Sequence, residues 1–254
     1  MRSVNTMLMF RFKQFAIEQE LCAMKVGTDG VLLGAWANGG LRILDAGTGT
    51  GVIALMMAQR YPDAQVTAID IDEGAVMQAQ QNVAQSPFSA QVTVLQETLQ
   101  QHLGEYDAIV SNPPFFIDSL AAPDEQRNMA RHTATLTYSE LMQAANRLLS
   151  DDGELSVVVP FDYRQRMEDE AIFVGFFPCR VCAVKTTEKK PAKRYLLVYQ
   201  NIISYYCCFA NDNTFSVVYK KPSANLCRRM NFYTCNNPRY VRNYTRNKRN
   251  MPFV

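Results

Sequence analysis

The sequence lacks any apolar run long enough to cross a membrane. No stretch of its 254 residues approaches the roughly 18 uninterrupted apolar residues that a membrane span requires. Residues 1–7 also lack the apolar run and small-residue cleavage site of a signal peptide. Seven cysteines at irregular spacing argue against a disulfide framework and favour reduced thiols. We therefore expect a cytoplasmic protein that makes no use of a membrane.

A metal-binding pattern is missing as well. Cys179 and Cys182 have CxxC spacing, but no second pair with metal-like spacing accompanies them. Packing within a strand is the simpler interpretation of two such cysteines. The sequence therefore predicts no metal.

The last 54 residues, 201–254, contain no glycine and no glutamate. They hold nine Lys and Arg, one acid (Asp212), ten Asn and four of the seven Cys, without a sustained helix or strand period. Such a composition neither builds a core nor resembles the rest of the chain. We expect an atypical basic tail that is poorly ordered or comes from an out-of-frame reading or a very divergent replacement. The alternative is a basic RNA-binding arm with six interleaved tyrosines.

Residues 41–200 alternate short apolar runs with helical patterns, which predicts one α/β domain preceded by a flanking segment, 1–40. The predicted strands are 41–45, 66–70, 92–95, 107–110 and 155–159; the predicted helices are 51–60, 73–85 and 136–149, the last stopped by 151–153. Near-continuous apolar strands indicate a mostly parallel, Rossmann-like sheet with helices on both faces. Residues 181–185 and 195–199 predict an antiparallel hairpin that closes it.

The first predicted strand runs into residues 45–51, DAGTGTG, and then into a helix. Parallel sheets bind ligands at this edge, and Gly47, Gly49 and Gly51 allow a ligand to approach the backbone. The spacing is GxGxG rather than GxGxxG, which favours S-adenosylmethionine over a dinucleotide. Asp45 can attract the α-ammonium group of that cofactor or organise the turn.

Two further strand ends supply candidate cofactor contacts. Asp70 follows the glycines by about 20 residues, where a carboxylate can accept hydrogen bonds from both ribose hydroxyls. Recognition of the adenine falls to a side chain after the third strand. Glu97 and Thr98 are both candidates, and the sequence does not choose between them.

The fourth predicted strand delivers the sequence Asn112, Pro113, Pro114 and Phe115. The Asn112 side-chain oxygen and the Pro113 carbonyl can accept the two hydrogens of a planar exocyclic amine and direct its lone pair at a methyl group. Consecutive prolines hold that carbonyl rigidly, and Phe115 can stack on the substrate. With the glycine turn, this motif predicts an S-adenosylmethionine-dependent N-methyltransferase. A proline turn that merely closes a strand is the alternative.

Charged residues follow at Arg127, Arg131 and His132. They form either a phosphate-contacting rim beside the substrate or a solvated helix face. Residues 1–200 carry 17 basic and 23 acidic residues, so RNA binding must use a local patch. His102 is expected at the surface.

Several blocks together resemble the bacterial tRNA1(Val) adenine-37 N6-methyltransferases over residues 10–200. They are residues 10–15 (FRFKQF), 24–36 (MKVGTDGVLLGAW), the glycine turn, NPPF, 130–132 and 193–197. The resemblance implies a class I methyltransferase that uses S-adenosylmethionine and methylates N6 of the adenosine 3′ of the tRNA anticodon. A base in that loop is unpaired and costs little to splay into a pocket. A monomer is the expected state.

The resemblance also implies that the block containing Lys25 and Thr28 borders the cofactor pocket, although residue chemistry alone allows 27–30 to be a simple turn. Residues 201–254 depart from the family pattern. Two other amine methylators use the same clamp, the guanine-N2 rRNA methyltransferases and the protein-glutamine N5-methyltransferases. Both typically carry an additional substrate domain, for which about 40 residues before the first strand leave little room. A catalytically silent RNA-binding protein is disfavoured because Asn112 and the glycines are intact.

Overall fold

The computed structural model describes residues 9–114, 136–201, 205–209 and 215–219. The chain divides into two compact units, residues 1–203 and 204–254. No helix in the described part of the chain is long and apolar enough to cross a membrane.

The first unit is built on a seven-stranded sheet with the order β5-β4-β3-β6-β7-β9-β8. Its strands are β3 Arg42–Ala46, β4 Gln65–Asp70, β5 Val92–Gln96, β6 Tyr106–Ser111, β7 Leu149–Pro160, β8 Phe176–Val184 and β9 Arg194–Asn201. Strands β3 to β7 pair in parallel, and β9 is antiparallel to both β7 and β8. The predicted α/β class, the parallel sheet and the closing hairpin are confirmed.

Helices cover both faces of this sheet. They are α1 Thr28–Trp36, α2 Val52–Arg60, α3 Glu73–Ala84, α4 Tyr138–Leu148 and α5 Arg164–Phe173, with a 3₁₀ turn at Phe161–Tyr163. Successive strand residues point to opposite faces. Ile43 therefore packs with Leu33 of α1 in one buried cluster, while Leu44 packs with Leu141 of α4 in the other.

One predicted boundary is wrong. Helix α4 ends at Leu148 and β7 begins at the next residue, so residues 151–153 lie within the strand instead of separating two elements. The pairing with β6 shifts register here, because Tyr106 faces Leu149 whereas Ala108 faces Glu154. A bulge lets a strand carry extra polar residues without ending.

The N-terminal segment forms a short hairpin, β1 Met9–Arg11 with β2 Ala16–Glu18, that the sequence pattern did not predict. Helix α3 forms hydrogen bonds with the residues that follow this hairpin. Its Asn82 accepts a hydrogen bond from the Glu18 N–H (2.8 Å) and donates to the carbonyls of Glu18 and Thr50 (2.8 Å each). Gln78 accepts one from the Leu21 N–H at 2.9 Å. These contacts hold residues 18–21 beside the glycine turn.

The second unit contains an antiparallel pair, β10 Tyr205–Phe209 and β11 Phe215–Tyr219. The composition of the tail predicted no regular element, and the two strands formed by these ten residues differ from that prediction. The proposal that the tail is an out-of-frame reading concerns the coding DNA, and it stays a prediction.

Candidate active site

A cavity of about 520 Å³ opens at the carboxyl edge of the parallel strands. Its volume lies within the range of small-molecule sites, about 300–1,000 Å³. Three parts of the chain form most of its wall: residues 22–27, the glycine turn, and the residues that follow β4, β5 and β6. The cavity thus lies where open parallel sheets bind their ligands.

The glycine turn has a backbone that only glycine adopts without strain. Gly47 has a φ of 74° and Gly51 a φ of 80°, both in the left-handed region. The N–H groups of Gly47 and Thr48 both donate to the Ile69 carbonyl at 3.0 Å. A Cβ placed on Gly47 meets no atom within 4 Å, so the backbone here borders open space. Gly51 is not in the wall, and its contribution is the turn itself.

Asp45 lies fully buried behind this turn and does not reach the cavity wall. One carboxylate oxygen, Oδ2, accepts hydrogen bonds from the Thr48 hydroxyl (2.6 Å) and the Ala54 N–H (3.0 Å). Burial raises the pKa of Asp45 to about 7, although these two hydrogen bonds lower it. Among the described residues, Oδ1 has no hydrogen-bond partner. Of the two roles left open for Asp45, these contacts support the organisation of the turn.

Asp70 ends β4 and lies in the cavity wall. Its Oδ2 accepts a hydrogen bond from the Gly49 N–H at 2.8 Å, and its Oδ1 accepts one from the Asp72 N–H at 3.0 Å. Two backbone donors therefore fix the carboxylate. Each oxygen keeps a second lone pair for a ligand hydroxyl.

Glu97 and Thr98 follow β5, and both line the cavity. The Glu97 carboxylate lies 2.8 Å from Nδ1 of His102, whose Nε2 lies 2.7 Å from the Tyr106 hydroxyl. The expectation that His102 lies at the surface is wrong, since only 4% of it is exposed. Arg147 of α4 also donates to the His102 carbonyl at 2.6 Å. These contacts fix the orientation of the Glu97 carboxylate, which its sequence position after a strand did not indicate.

The structure separates the two residues that the resemblance placed at the pocket border. Lys25 lies in the wall, and its ammonium group donates to the carbonyls of Gln19 (2.5 Å) and Cys22 (2.9 Å). Thr28 is the first residue of α1; it is exposed and lies outside the wall, whereas Gly27 and Gly30 belong to it.

At the other end of the cavity, β6 brings Asn112, Pro113 and Pro114 into the wall. The Ser111 hydroxyl donates to the Ala46 carbonyl at 2.8 Å and so ties the end of β6 to the end of β3. The Asn112 Oδ1 is buried and has no hydrogen-bond partner among the described residues. A buried amide oxygen in this state is an acceptor that a substrate can use.

Four predicted site residues lie outside the described part of the chain: Phe115, Arg127, Arg131 and His132. Conversely, the wall contains Leu136 and Glu140, which the sequence reasoning missed. The sequence does contain a signal for the start of this helix. Thr137 and Glu140 form a capping box, in which the Thr137 hydroxyl accepts from the Glu140 N–H (3.2 Å) and the Glu140 carboxylate accepts from the Thr137 N–H (2.8 Å).

No cluster of three or more His, Cys, Asp or Glu suited to a metal occurs within residues 9–114 and 136–201. The absence of a metal stays a prediction.

Comparisons with known proteins identify the family. Residues 27–175 match the family model described as the methyltransferase small domain. A tRNA1(Val) (adenine(37)-N6)-methyltransferase of Parabacteroides distasonis is 48% identical over 194 residues, covering 74% of this chain and 81% of that protein. The chain belongs to the tRNA1(Val) (adenine(37)-N6)-methyltransferase family. A member from Trichodesmium erythraeum is 46% identical over 196 residues, covering 74% of this chain and 82% of its own length.

Among solved structures, TrmN from Thermus thermophilus superposes with a TM-score of 0.51 at 23% identity. The match covers 68% of this chain and 48% of that one. At this identity the likeness concerns the fold alone, and it agrees with the class I methyltransferase fold of the family.

Proposed function

We propose that this methyltransferase transfers a methyl group from S-adenosylmethionine to N6 of adenine 37 in tRNA, with tRNA1(Val) as the acceptor. The observation that carries the proposal is the Asn112 Oδ1, a buried acceptor that no described residue satisfies. It belongs to the wall of the same cavity as the glycine turn and Asp70.

The cofactor end of the cavity fits S-adenosylmethionine on three counts. Open space beside Gly47 leaves room for a ligand against the backbone. Asp70 presents a fixed carboxylate to ribose hydroxyls, and Glu97 presents another, oriented by His102, to the adenine amine. When bound, the cofactor supplies a sulfonium methyl group that needs no further activation.

The protein must therefore position the acceptor amine. The exocyclic nitrogen of adenine is a weak nucleophile because its lone pair is delocalised into the ring. Asn112 Oδ1 and the Pro113 carbonyl accept its two hydrogens and turn the lone pair towards the methyl group, which is catalysis by orientation. Because Ser111 fixes the end of β6 to β3, this clamp keeps its place relative to the glycine turn.

The substrate follows from the named relatives, at 46–48% identity over most of the chain. Adenine 37 adjoins the anticodon, and an unpaired loop base enters a pocket at a lower cost than one from a duplex. A tRNA substrate also assigns the protein to the cytoplasm.

Methylation of tRNA1(Val) that lacks the modification tests the proposal. Nucleoside mass spectrometry should find N6-methyladenosine, and a transcript with guanine in place of adenine 37 should stay unmethylated. N2-methylguanosine as the product, or methylation of the altered transcript, would overturn the assignment.

A further inference from the structure

We propose that the turn between β8 and β9, residues 185–193, binds phosphate groups of the tRNA backbone. We call these residues the lysine turn. The inference rests on the proposed function and adds an RNA-contacting surface outside the cavity.

The charge of the lysine turn contrasts with the rest of the domain. Residues 1–200 have more acids than bases, yet four of their six lysines lie here: Lys185, Lys189, Lys190 and Lys193. All four are exposed, and Glu188 is the only acid among them. Like charges so close together repel one another, and an anionic partner relieves that repulsion.

Several arginines among the described residues of the domain are, in contrast, engaged within the fold. Arg42 pairs with Glu105 at 2.9 Å, Arg147 donates to three carbonyls of residues 99–102, and Arg180 lies 3.9 Å from the centre of the Trp36 ring. None of the four lysines makes an ion pair or side-chain hydrogen bond with another described residue. Their ammonium groups are therefore available to a ligand.

The sheet places the lysine turn on the same edge as the cavity. Strand β7 runs parallel to β6, so Pro160 at its end lies at the edge to which β6 delivers Asn112. Arg194, at the start of β9, faces both Pro160 of β7 and Val184 of β8. When an adenine occupies the cavity, its sugar–phosphate chain stays outside at this same edge of the sheet.

The fold also holds the lysine turn in place. The Lys190 N–H donates to the Thr187 carbonyl at 3.2 Å, and the Lys193 N–H donates to the Val184 carbonyl at 2.9 Å. Arg194 then pairs with Asp29 of α1 at 2.7 Å. Since the neighbouring Gly30 lines the cavity, this ion pair links the turn to the site.

The test is the double variant Lys189→Gln/Lys190→Gln, with tRNA affinity measured over a range of salt concentrations. Log affinity falls linearly with log salt concentration, and each lost phosphate contact makes this negative slope shallower by about 0.7–0.9. We expect a decrease of about 1.5 for two contacts and, at low salt, roughly tenfold weaker binding. Affinity for S-adenosylhomocysteine, and turnover at saturating tRNA, should stay within about twofold of the parent.

The matched control changes the net charge by the same two units at the opposite edge of the sheet. Ser89→Asp/Ala90→Asp lies in an exposed turn just before β5 and should leave the salt slope unchanged. An equal effect of both double variants, or an unchanged slope in the lysine variant, would overturn the lysine turn as a contact. Failure of the parent to methylate adenine 37 would instead overturn the proposed function, since the binding measurement needs no turnover.

Discussion

The two ends of the cavity differ in how their polar groups are satisfied. At the cofactor end, Asp70 accepts two backbone N–H groups, one at each carboxylate oxygen. At the amine end, Asn112 offers an oxygen that no described residue contacts. The Asp70 contacts fix the conformation of the backbone, whereas the Asn112 oxygen is an acceptor that a substrate can use.

Under the proposed function, this difference separates cofactor binding from catalysis. A buried acceptor that no group satisfies costs about 1–3 kcal/mol, so the Asn112 oxygen, which no described residue contacts, calls for a partner. A substrate amine that donates to Asn112 recovers this cost only when it is correctly placed. Under the same proposal, the contacts with the cofactor are spread over the glycine turn and several side chains. A single substitution should therefore affect the two ends in different ways.

The largest effect is expected from Asn112→Ala, which removes the oriented acceptor. Turnover should fall by about two orders of magnitude or more, since one such positioned group contributes that much to a rate. Affinity for S-adenosylhomocysteine should change by less than about twofold, because the contacts of the cofactor lie elsewhere. Single-turnover methylation and calorimetry measure the two quantities.

Asn112→Asp is the matched companion, since it keeps the shape and an acceptor oxygen. It should retain more turnover than the alanine variant. Equal losses of cofactor affinity and turnover in Asn112→Ala would remove the distinction between the two ends.

A smaller effect is expected from Asp70→Ala, and it should appear in binding. The substitution removes an acceptor for the ribose hydroxyls and frees the Gly49 and Asp72 N–H groups, so cofactor affinity should fall by about 1–3 kcal/mol. Asp70→Asn keeps one acceptor oxygen and should lose less. Glu73→Ala removes an exposed carboxylate three residues away, outside the wall, and serves as the control. Parent-like affinity in Asp70→Ala would show that the carboxylate does not hold the ribose.

The sheet and the helices α2, α3 and α4 could be predicted because their apolar residues repeat with the period of their elements. Helix α1 could not. Its two glycines, Gly30 and Gly34, disfavour a helix, and Gly34 lies so close to α2 that a Cβ there would be 2.8 Å from the Met56 sulfur. Half of the residues of helix α5 are charged, and the helix buries only Met167, Glu168 and Ala171, which leaves too few apolar residues for a visible period.

The part of the candidate site that lies at the ends of the strands could be predicted from the sequence. Asp70, Glu97 and Asn112 all lie in the cavity wall, because parallel strands bring their carboxyl ends to one edge. The burial of His102 was not readable, since it depends on Tyr106 and on Arg147 from a distant helix. The sequence likewise could not show that Asp45 lies behind the wall.

The smallest effect concerns Asp45 and the dependence of stability on pH. The carboxyl has a pKa of about 7 in the folded chain, against 3.8 for the free side chain. Between these values the unfolded chain is ionised at Asp45 while the folded chain holds the proton, so Asp45 makes the free energy of unfolding fall as pH rises from about 4 to 7. Asp45→Asn should remove this contribution.

Urea unfolding of the cofactor-free protein at several pH values measures the contribution of Asp45 to the free energy of unfolding. From pH 5 to pH 6, the parent should lose about 1 kcal/mol more than Asp45→Asn, because one proton is worth at most about 1.4 kcal/mol per pH unit. Groups whose pKa is lowered, such as Asp107, are present in both proteins and cancel. Parallel profiles would mean that Asp45 is already ionised in the folded chain.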